Sequence, residues 1–133
     1  MVEFKIIPFE EITVEDLKIV KKAIDIDPWH GKPSHLKAKL ERGQSLLWRM
    51  TNGNARGVLI TELLEGYEGP ELLLSLMAGS GLFRNINYIS ETIEEFCKNC
   101  GIKRMRALTN PKVVAAVKEL GWRVTQEVVE KEI

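Results

Sequence analysis

LLLSLMAGSGLFRN occupies positions 72–85, where an apolar run leads into a Gly-Ser-Gly turn. The residues that follow, up to Trp122, carry a helix pattern, a short apolar segment and a second helix pattern. This order predicts a strand, a glycine loop, a helix beginning near Arg84 or Asn85, a strand and a helix. A glycine turn lets the backbone approach a ligand closely, and the N-terminus of the next helix attracts negative charge. The stretch therefore predicts a site for a phosphate-bearing ligand, although any tight strand-to-helix turn can use the same residues.

Length and composition indicate a single globular domain that spans residues 1–133. Hydrophobic residues make up 44% of the chain and charged residues 29%, which is typical of a soluble protein. The 19 basic and 19 acidic residues balance, so no global field favours binding to nucleic acid or to an anionic membrane. No apolar run approaches the roughly 20 residues of a membrane helix, and the N-terminus lacks a signal-peptide pattern. We therefore expect a cytoplasmic location.

The first 42 residues alternate strand and helix patterns. Glu3–Pro8 alternates apolar and charged side chains and predicts a first strand. Thr13 is a typical capping residue for a helix that ends near Asp25. A proline-stiffened loop separates this helix from a second one at Ser34–Arg42, which we also expect to be opened by a capping residue.

An Asn-Gly pair separates the next two apolar runs, Ser45–Met50 and Ala55–Leu64, and strongly predicts a β-hairpin. A second turn leads into a third consecutive antiparallel strand at Glu71–Met77. The remaining predicted elements are a helix at Ile86–Cys100, a strand at Ile102–Leu108, a helix at Pro111–Leu120 and a last strand at Trp122–Val129.

The predicted order is β-α-α-β-β-β-α-β-α-β, which belongs to the α/β (α+β) class. Such an order favours a mixed, mostly antiparallel sheet with helices on both faces. We expect one parallel pair where the helix beginning at Ile86 crosses over. The glycine loop lies at the start of this crossover, where ligands of such sheets commonly bind.

Asn110–Trp122 reads NPKVVAAVKELGW and carries an asparagine, an amphipathic helix and a terminal Gly-aromatic pair. This motif and the element order resemble the GNAT superfamily of acetyl-CoA-dependent N-acyltransferases over nearly the whole chain. Short GNAT-like proteins of bacteriophages also look similar in their compact loop and Gly-Trp ending. The resemblance implies acetyl-CoA as a co-substrate. It places Ser75, Leu76 and Met77 against the pantetheine arm, Gly79, Ser80, Gly81, Phe83 and Arg84 at the pyrophosphate, and Asn110 at the CoA site.

Two positions depart from the family pattern. The family's pyrophosphate loop usually opens with glutamine or arginine, and Leu76 stands at that position here. Many members carry a tyrosine seven residues after the asparagine, which protonates the departing thiolate, and here that position is Val117. An aliphatic side chain cannot donate a proton.

Acyl transfer of this kind needs a base for the incoming ammonium, and Glu62 and Glu71 are the candidates. The alternative is that both are solvated charges on an exposed face. Tyr88, near the start of the crossover helix, could replace the missing acid. Main-chain N–H groups of the splayed strand would hold the thioester carbonyl.

Trp29 and His30 fall where the family's first two helices bracket the acceptor, so we expect them, with His35, to contribute to acceptor binding. The alternative is that Trp29 packs on the core. Cys97 and Cys100 fit a reducing compartment. We predict no metal site, because these cysteines lie at the carboxyl end of a helix, where the dipole disfavours a thiolate.

The sequence leaves two functions open. The first is a GNAT-like N-acetyltransferase that acts on an amine of unknown identity. The second is a catalytically inactive GNAT-like protein that serves as a protein-binding or structural component, for instance of a bacteriophage, in the host cytoplasm or the virion. The last strand could pair across a homodimer. Three basic residues could contact RNA or a phosphate, namely Lys103, Arg104 and Arg106. We expect them instead to form the solvent-exposed face of a strand.

Overall fold

A mixed sheet flanked by helices makes up the part of the chain that the computed structural model describes, namely residues 2–26, 32–107, 109, 111–125, 129 and 131–133. The strands are β1 (Glu3–Ile7), β2 (Ser45–Asn52), β3 (Ala55–Gly66), β4 (Gly69–Gly79) and β5 (Arg104–Ala107). The helices are α1 (Val14–Ile26), α2 (Pro33–Glu41), α3 (Ile86–Asn99) and α4 (Pro111–Val117), with 3₁₀ turns at Phe9–Glu11 and Lys118–Leu120.

The strands lie in the order β1-β2-β3-β4-β5. Strands β1 to β4 pair antiparallel, and β5 pairs parallel to β4 across α3. This arrangement confirms the mixed, mostly antiparallel sheet and the parallel pair at the crossover. None of the described helices is long and apolar enough to cross a membrane.

The predicted last strand, Trp122–Val129, is wrong over its described residues 122–125 and 129, none of which lies in a strand. Gly121 turns the chain at φ +90°, directly after the second 3₁₀ turn. The indole N–H of Trp122 then donates to Ser90 Oγ at 3.2 Å, which holds the aromatic ring against α3. Packing on the helix therefore takes the place of pairing at the sheet edge.

The β2–β3 hairpin is confirmed, with a turn that differs from the expected Asn-Gly centre. Asn52 pairs with Ala55 in the ladder, which leaves Gly53 and Asn54 as the two central residues. Gly53 has φ +61°. A glycine with positive φ at the first central position is the requirement of a type II′ turn, which matches the twist of the flanking strands.

The two N-terminal helices begin in different ways. At α1 the prediction is confirmed, because Thr13 N–H donates to Asp16 Oδ2 and Asp16 N–H donates to Thr13 Oγ1, each at 3.1 Å. At α2 the predicted capping residue is wrong, since Lys32 occupies the N-cap without a side-chain hydrogen bond. Pro33 supplies the start instead, because its fixed φ suits the first helical position and its missing N–H costs nothing there.

A bulge in β4 exchanges the two faces of the sheet. Leu72 and Leu74 pack in the cluster under α3, whereas Leu76 packs in the cluster under α1 and α2. The β3–β4 register shifts between Ile60 and Thr61, which leaves Ser75 as an extra residue. One inserted residue inverts the alternation of side chains that follows it.

Trp48 lies at the centre of the α3 cluster and is 2% exposed. Its ring stacks on Phe4 at a centroid distance of 5.1 Å and meets Phe96 edge-on at 5.2 Å. The indole N–H donates to Thr61 Oγ1 at 3.0 Å, so the buried polar group is satisfied. This cluster fixes α3, and with it the glycine loop, against the sheet.

Candidate functional site

The sheet opens where β5 ends. In the described ladder, β5 pairs with Glu71–Leu74 of β4, and the last pair is Leu74 with Ala107. Residues 76–79 of β4 keep β3 on one side and face an open groove of about 2490 Å³ on the other. Alternate main-chain N–H and C=O groups of a strand point to opposite sides. The end of β4 therefore presents main-chain hydrogen-bonding groups to the groove.

The groove is strongly basic, although the chain as a whole has no net charge. Eight basic and three acidic side chains are among the described residues that line it, an excess of five positive charges. The basic residues are Lys22, Arg56, Lys98, Lys103, Arg104, Arg106, Lys118 and Arg123, and the acidic ones are Glu65, Glu71 and Glu94. Concentrated charge of one sign in a cleft attracts ligands of the opposite sign.

The glycine loop, residues 80–85, lies between β4 and α3. Its first amide is used internally, because Ser80 N–H donates to Arg56 O at 2.9 Å. Within the described chain, three further loop amides have no hydrogen-bond acceptor, those of Gly81, Leu82 and Arg84. Free N–H groups in front of a helix form an anion-binding site, and α3 is 14 residues long.

The glycines of this loop are required by protein packing. Gly79 has φ +89°, and a Cβ there would lie 2.4 Å from Arg56 O. Gly81 has φ +86°, and a Cβ there would lie 2.6 Å from Met50 Cε. The sequence suggested that these glycines give a phosphate close access to the backbone. The structure adds a second reason, since the loop lies directly on β2 and β3.

A buried ion network joins the loop to the start of α1. The Asp16 carboxylate is 0% exposed and accepts hydrogen bonds from Arg49 Nε at 3.0 Å and from Arg56 Nη2 at 2.9 Å. Burial alone would raise the pKa of Asp16. The hydrogen bonds from Arg49, the Thr13 amide and Arg56 outweigh burial and hold that pKa well below its ordinary value of 3.8. The same bond raises the pKa of Arg49.

Sequence reasoning missed this network. The available signal was Arg49, a charged residue inside an apolar strand on the same face as Leu47. A partly buried arginine needs a carboxylate partner. Spacing alone could not identify Asp16, which lies 33 residues earlier.

Glu71 is the one of the three catalytic candidates that lines the groove. It is 8% exposed, and its Oε1 accepts a hydrogen bond from Arg106 Nε at 2.9 Å. Glu62 instead lies outside the groove lining and bonds Lys39 Nζ at 3.0 Å. Tyr88 is 45% exposed on α3 and also lies outside the lining.

The residues assigned to acetyl-CoA lie mainly along the groove. Leu76 is 3% exposed, so its position is part of the core and offers no polar side chain to a ligand. Arg84 is exposed and lies outside the lining. Asn110, Trp29 and His30 fall outside the described residues. The groove lining includes Leu76, Met77, Gly79, Ser80, Gly81, Phe83 and Val117, whereas Ser75 lies outside it.

The cysteines and the remaining histidine do not form a cluster. Cys97 is buried, Cys100 is exposed, and both are free thiols. His35 lies exposed on α2. Across the described ranges, no group of three or more histidine, cysteine or acidic side chains is arranged to hold a metal ion.

Comparisons with known proteins find structural neighbours alone, since no family model and no curated protein matches this chain. A Clostridium acetobutylicum protein, solved with acetyl-CoA and described as a predicted acetyltransferase, superposes with a TM-score of 0.68 and 15% identity, covering 99% of this chain and 96% of that chain. A GCN5-related N-acetyltransferase from Ralstonia eutropha JMP134 gives 0.70 and 14%, covering 99% of both chains. An aminoglycoside acetyltransferase from an uncultured soil metagenomic sample, in complex with sisomicin, gives 0.72 and 11%, covering 99% and 95%.

Proposed function

We propose that this chain, whose fold is that of the GNAT N-acetyltransferases, binds acetyl-CoA and transfers its acyl group to an amine. The opening of the sheet at Ser75 carries the proposal. It separates β4 from β5 beside the glycine loop and exposes one side of β4. An extended ligand can pair with such a strand through main-chain hydrogen bonds.

The groove fits the chemistry of CoA in two respects. The amide groups of the pantetheine arm can pair with the main chain of residues 75–79. The free amides of Gly81 and Leu82, which line the groove, suit the pyrophosphate, and the excess of five positive charges suits a polyanion. The protein then contributes mainly positioning and a fixed set of N–H donors.

In the proposed reaction, the amine nitrogen forms a bond to the thioester carbonyl carbon, the C–S bond breaks, the amine loses a proton and the sulfur gains one. We assign proton removal to Glu71 because it lines the groove. Glu71 lies four residues before Ser75 on β4, roughly 13 Å along an extended strand, so the proton would reach it through a chain of several water molecules. No acid is assigned at Val117. A thiol has an ordinary pKa of about 8.5, so the sulfur can leave as a thiolate and take its proton from water.

The second candidate function is a GNAT-fold protein without catalysis that binds another protein. Two observations favour it: Leu76 is buried in the core and offers no polar anchor, and Val117 lines the groove where an acid would be useful. This candidate predicts that neither acetyl-CoA nor CoA binds.

Calorimetric titration of the purified protein with acetyl-CoA and with CoA tests the proposal, supported by a thermal-shift scan. We expect micromolar binding. Reversing two exposed charges of the groove, Lys118→Glu with Arg123→Glu, should weaken affinity at least tenfold at low salt. Lys5→Glu, at the opposite edge of the sheet, is the matched control and should leave affinity unchanged. Absence of binding at millimolar ligand would overturn the proposal and favour the second candidate.

A further inference from the structure

Two arginines on β5 lie side by side on the groove. Arg104 and Arg106 are two residues apart, so they project from the same face of the strand. Met105 between them packs against the α3 cluster, which places both arginines on the opposite face, where α1 and α2 pack farther along the sheet. Their side chains are 51% and 39% exposed.

Glu71 holds this pair in place from β4. Its Oε1 accepts from Arg106 Nε at 2.9 Å, and its Oε2 lies 3.6 Å from Arg104 Nη1. The carboxylate rests against Gly66, where an added Cβ would lie 2.5 Å from Oε2. A buried carboxylate with a guanidinium on each side is neutralised and orients both of them.

Most of the guanidinium donors stay available. Among the described residues, Arg106 donates one hydrogen bond, from Nε, and its two terminal nitrogens have no protein acceptor. The side chain of Arg104 makes no hydrogen bond in the described chain, and its second ion-pair partner, Glu68, is 3.9 Å away and 74% exposed. A guanidinium presents a planar set of donors that matches both oxygens of a carboxylate.

The pair lies next to the proposed site of acyl transfer. Arg106 pairs with Leu73, one step before the last β4–β5 pair, and the sheet opens immediately beyond. Lys22 of α1 and Lys103 add positive charge to the same groove. A ligand that reaches the opening from this face therefore passes two guanidinium groups, and the nearest carboxylate, Glu71, is already paired with them.

We propose that Arg104 and Arg106 bind a carboxylate of the acceptor, so that the acceptor is an amine that carries an acid group, as an amino acid does. The inference rests on the proposed acetyl transfer. A polycationic acceptor such as an aminoglycoside would meet the two arginines and Lys22, and its approach would be repelled, because basic side chains outnumber acidic ones eight to three along the described groove lining.

The test compares acceptors that differ in the carboxylate alone: L-lysine, L-lysinamide and cadaverine, with sisomicin as a polycation. Product formation from acetyl-CoA is followed by mass spectrometry, and CoA affinity is measured separately by calorimetry. We expect a KM for lysine at least tenfold below that for lysinamide, with cadaverine and sisomicin poorer still. Arg104→Gln, which breaks no side-chain hydrogen bond of the described chain, should bring the KM values for lysine and lysinamide together, and calorimetry with CoA measures separately how far the lost groove charge weakens CoA binding. Arg106→Gln serves as a second variant, and Lys5→Gln as the matched control.

The two proposals fail in different ways. If the protein does not bind CoA, the acetyltransferase proposal and the acceptor inference both fall. If CoA binds but the KM for lysinamide, cadaverine or sisomicin is as low as that for lysine, the acceptor inference alone is overturned. It is also overturned if no acceptor in the panel is acetylated, or if Arg104→Gln and Arg106→Gln both keep the preference for lysine.

Discussion

Arg56 and Ser80 are joined by two reciprocal hydrogen bonds, from Ser80 N–H to Arg56 O at 2.9 Å and from Arg56 N–H to Ser80 Oγ at 3.1 Å. The side chain of Arg56 meanwhile bonds Asp16 and Glu15 of α1. One residue of β3 therefore connects the start of α1 with the glycine loop, and a change at either end can reach the other.

Ser80→Ala removes the acceptor for the Arg56 amide while keeping the reverse bond. Because this hydrogen bond is exposed, we expect a loss of about 0.5–1.5 kcal/mol in the free energy of unfolding. CoA affinity should fall several-fold as the loop loosens. Urea denaturation and calorimetry measure the two effects. Ser34→Ala, on the exposed first turn of α2, is the control, and equal behaviour of the two variants would contradict the role given to Ser80.

Asp16→Asn tests the buried network. Breaking a buried ion pair leaves the two arginines without their carboxylate, and we expect a loss of about 3–5 kcal/mol in the free energy of unfolding. Asp25→Asn is the matched control, because Asp25 is exposed and pairs with Lys21 at 3.7 Å. Its effect should stay within about 0.5 kcal/mol.

The same residue predicts how stability depends on pH. The pKa of Asp16 is lower in the folded protein than its ordinary value of 3.8, so its contribution is fully present above that value. The contribution is lost as pH falls below 3.8 towards the folded pKa. Urea denaturation between pH 2 and pH 6 measures how the free energy of unfolding depends on pH. The free energy of unfolding should change less steeply with pH in Asp16→Asn than in Asp25→Asn. Identical slopes would contradict the shift.

Comparing Gly81→Ala with Gly43→Ala separates two contributions to the loss of stability, backbone strain and steric overlap with neighbouring side chains. Both glycines have positive φ, +86° and +74°, but a Cβ at Gly43 would meet nothing within 4 Å. Gly43→Ala should therefore cost about 1–2 kcal/mol in stability. Gly81→Ala should cost more, because Met50 must also move. A loss of CoA affinity in Gly81→Ala supports the ligand site only after this difference in stability has been measured.

Glu71→Gln tests the proposed base. We expect kcat/KM to fall by about 10²–10⁴ while the Kd for CoA is unchanged. Glu62→Gln is the matched control, because Glu62 bonds Lys39 outside the groove lining. Tyr88→Phe should also keep activity, since that phenol lies outside the lining. If Glu62→Gln loses as much activity as Glu71→Gln, the assignment of the base is wrong.

The two cysteines should differ in reactivity towards a maleimide. Burial raises the pKa of the Cys97 thiol, which lowers its thiolate fraction, and the side chain is 5% exposed. Cys100 is exposed and should be labelled within minutes at pH 7, whereas Cys97 should wait for unfolding. Mass spectrometry of proteolytic fragments identifies the labelled site. Equal rates in the folded protein would contradict the packing of α3 on the sheet.

Local patterns predicted most of the fold, and long-range contacts accounted for what they missed. The reciprocal bonds of Thr13 and Asp16 and the turn at Gly53 depend on neighbouring residues, so the sequence contains them directly. The hydrogen bond between Arg49 and Asp16 joins residues 33 positions apart, and no sequence pattern predicts it. Trp122 begins a segment whose alternating pattern is typical of a strand, but its indole N–H donates a hydrogen bond to Ser90 on α3.

Only part of the candidate site could be predicted from the sequence. The glycine loop was visible in the sequence, because few residues other than glycine tolerate its positive φ. The opening beside Ser75 was not, because it arises from a register shift in one ladder and the early end of another. Which acidic residue lines the groove depends on that geometry too, and it favours Glu71 over Glu62.

The extra residue at Ser75 also bears on how such a protein can be recognised from its sequence. Beyond the bulge, β4 presents its main chain to the groove, and every amino acid except proline supplies the same N–H and C=O groups. Side chains along this part of the strand are then free to vary as long as they fill the core. A surface made of main-chain groups can be kept while nearly all of its amino-acid sequence changes. This is consistent with structural neighbours that share the fold at 11% to 16% sequence identity.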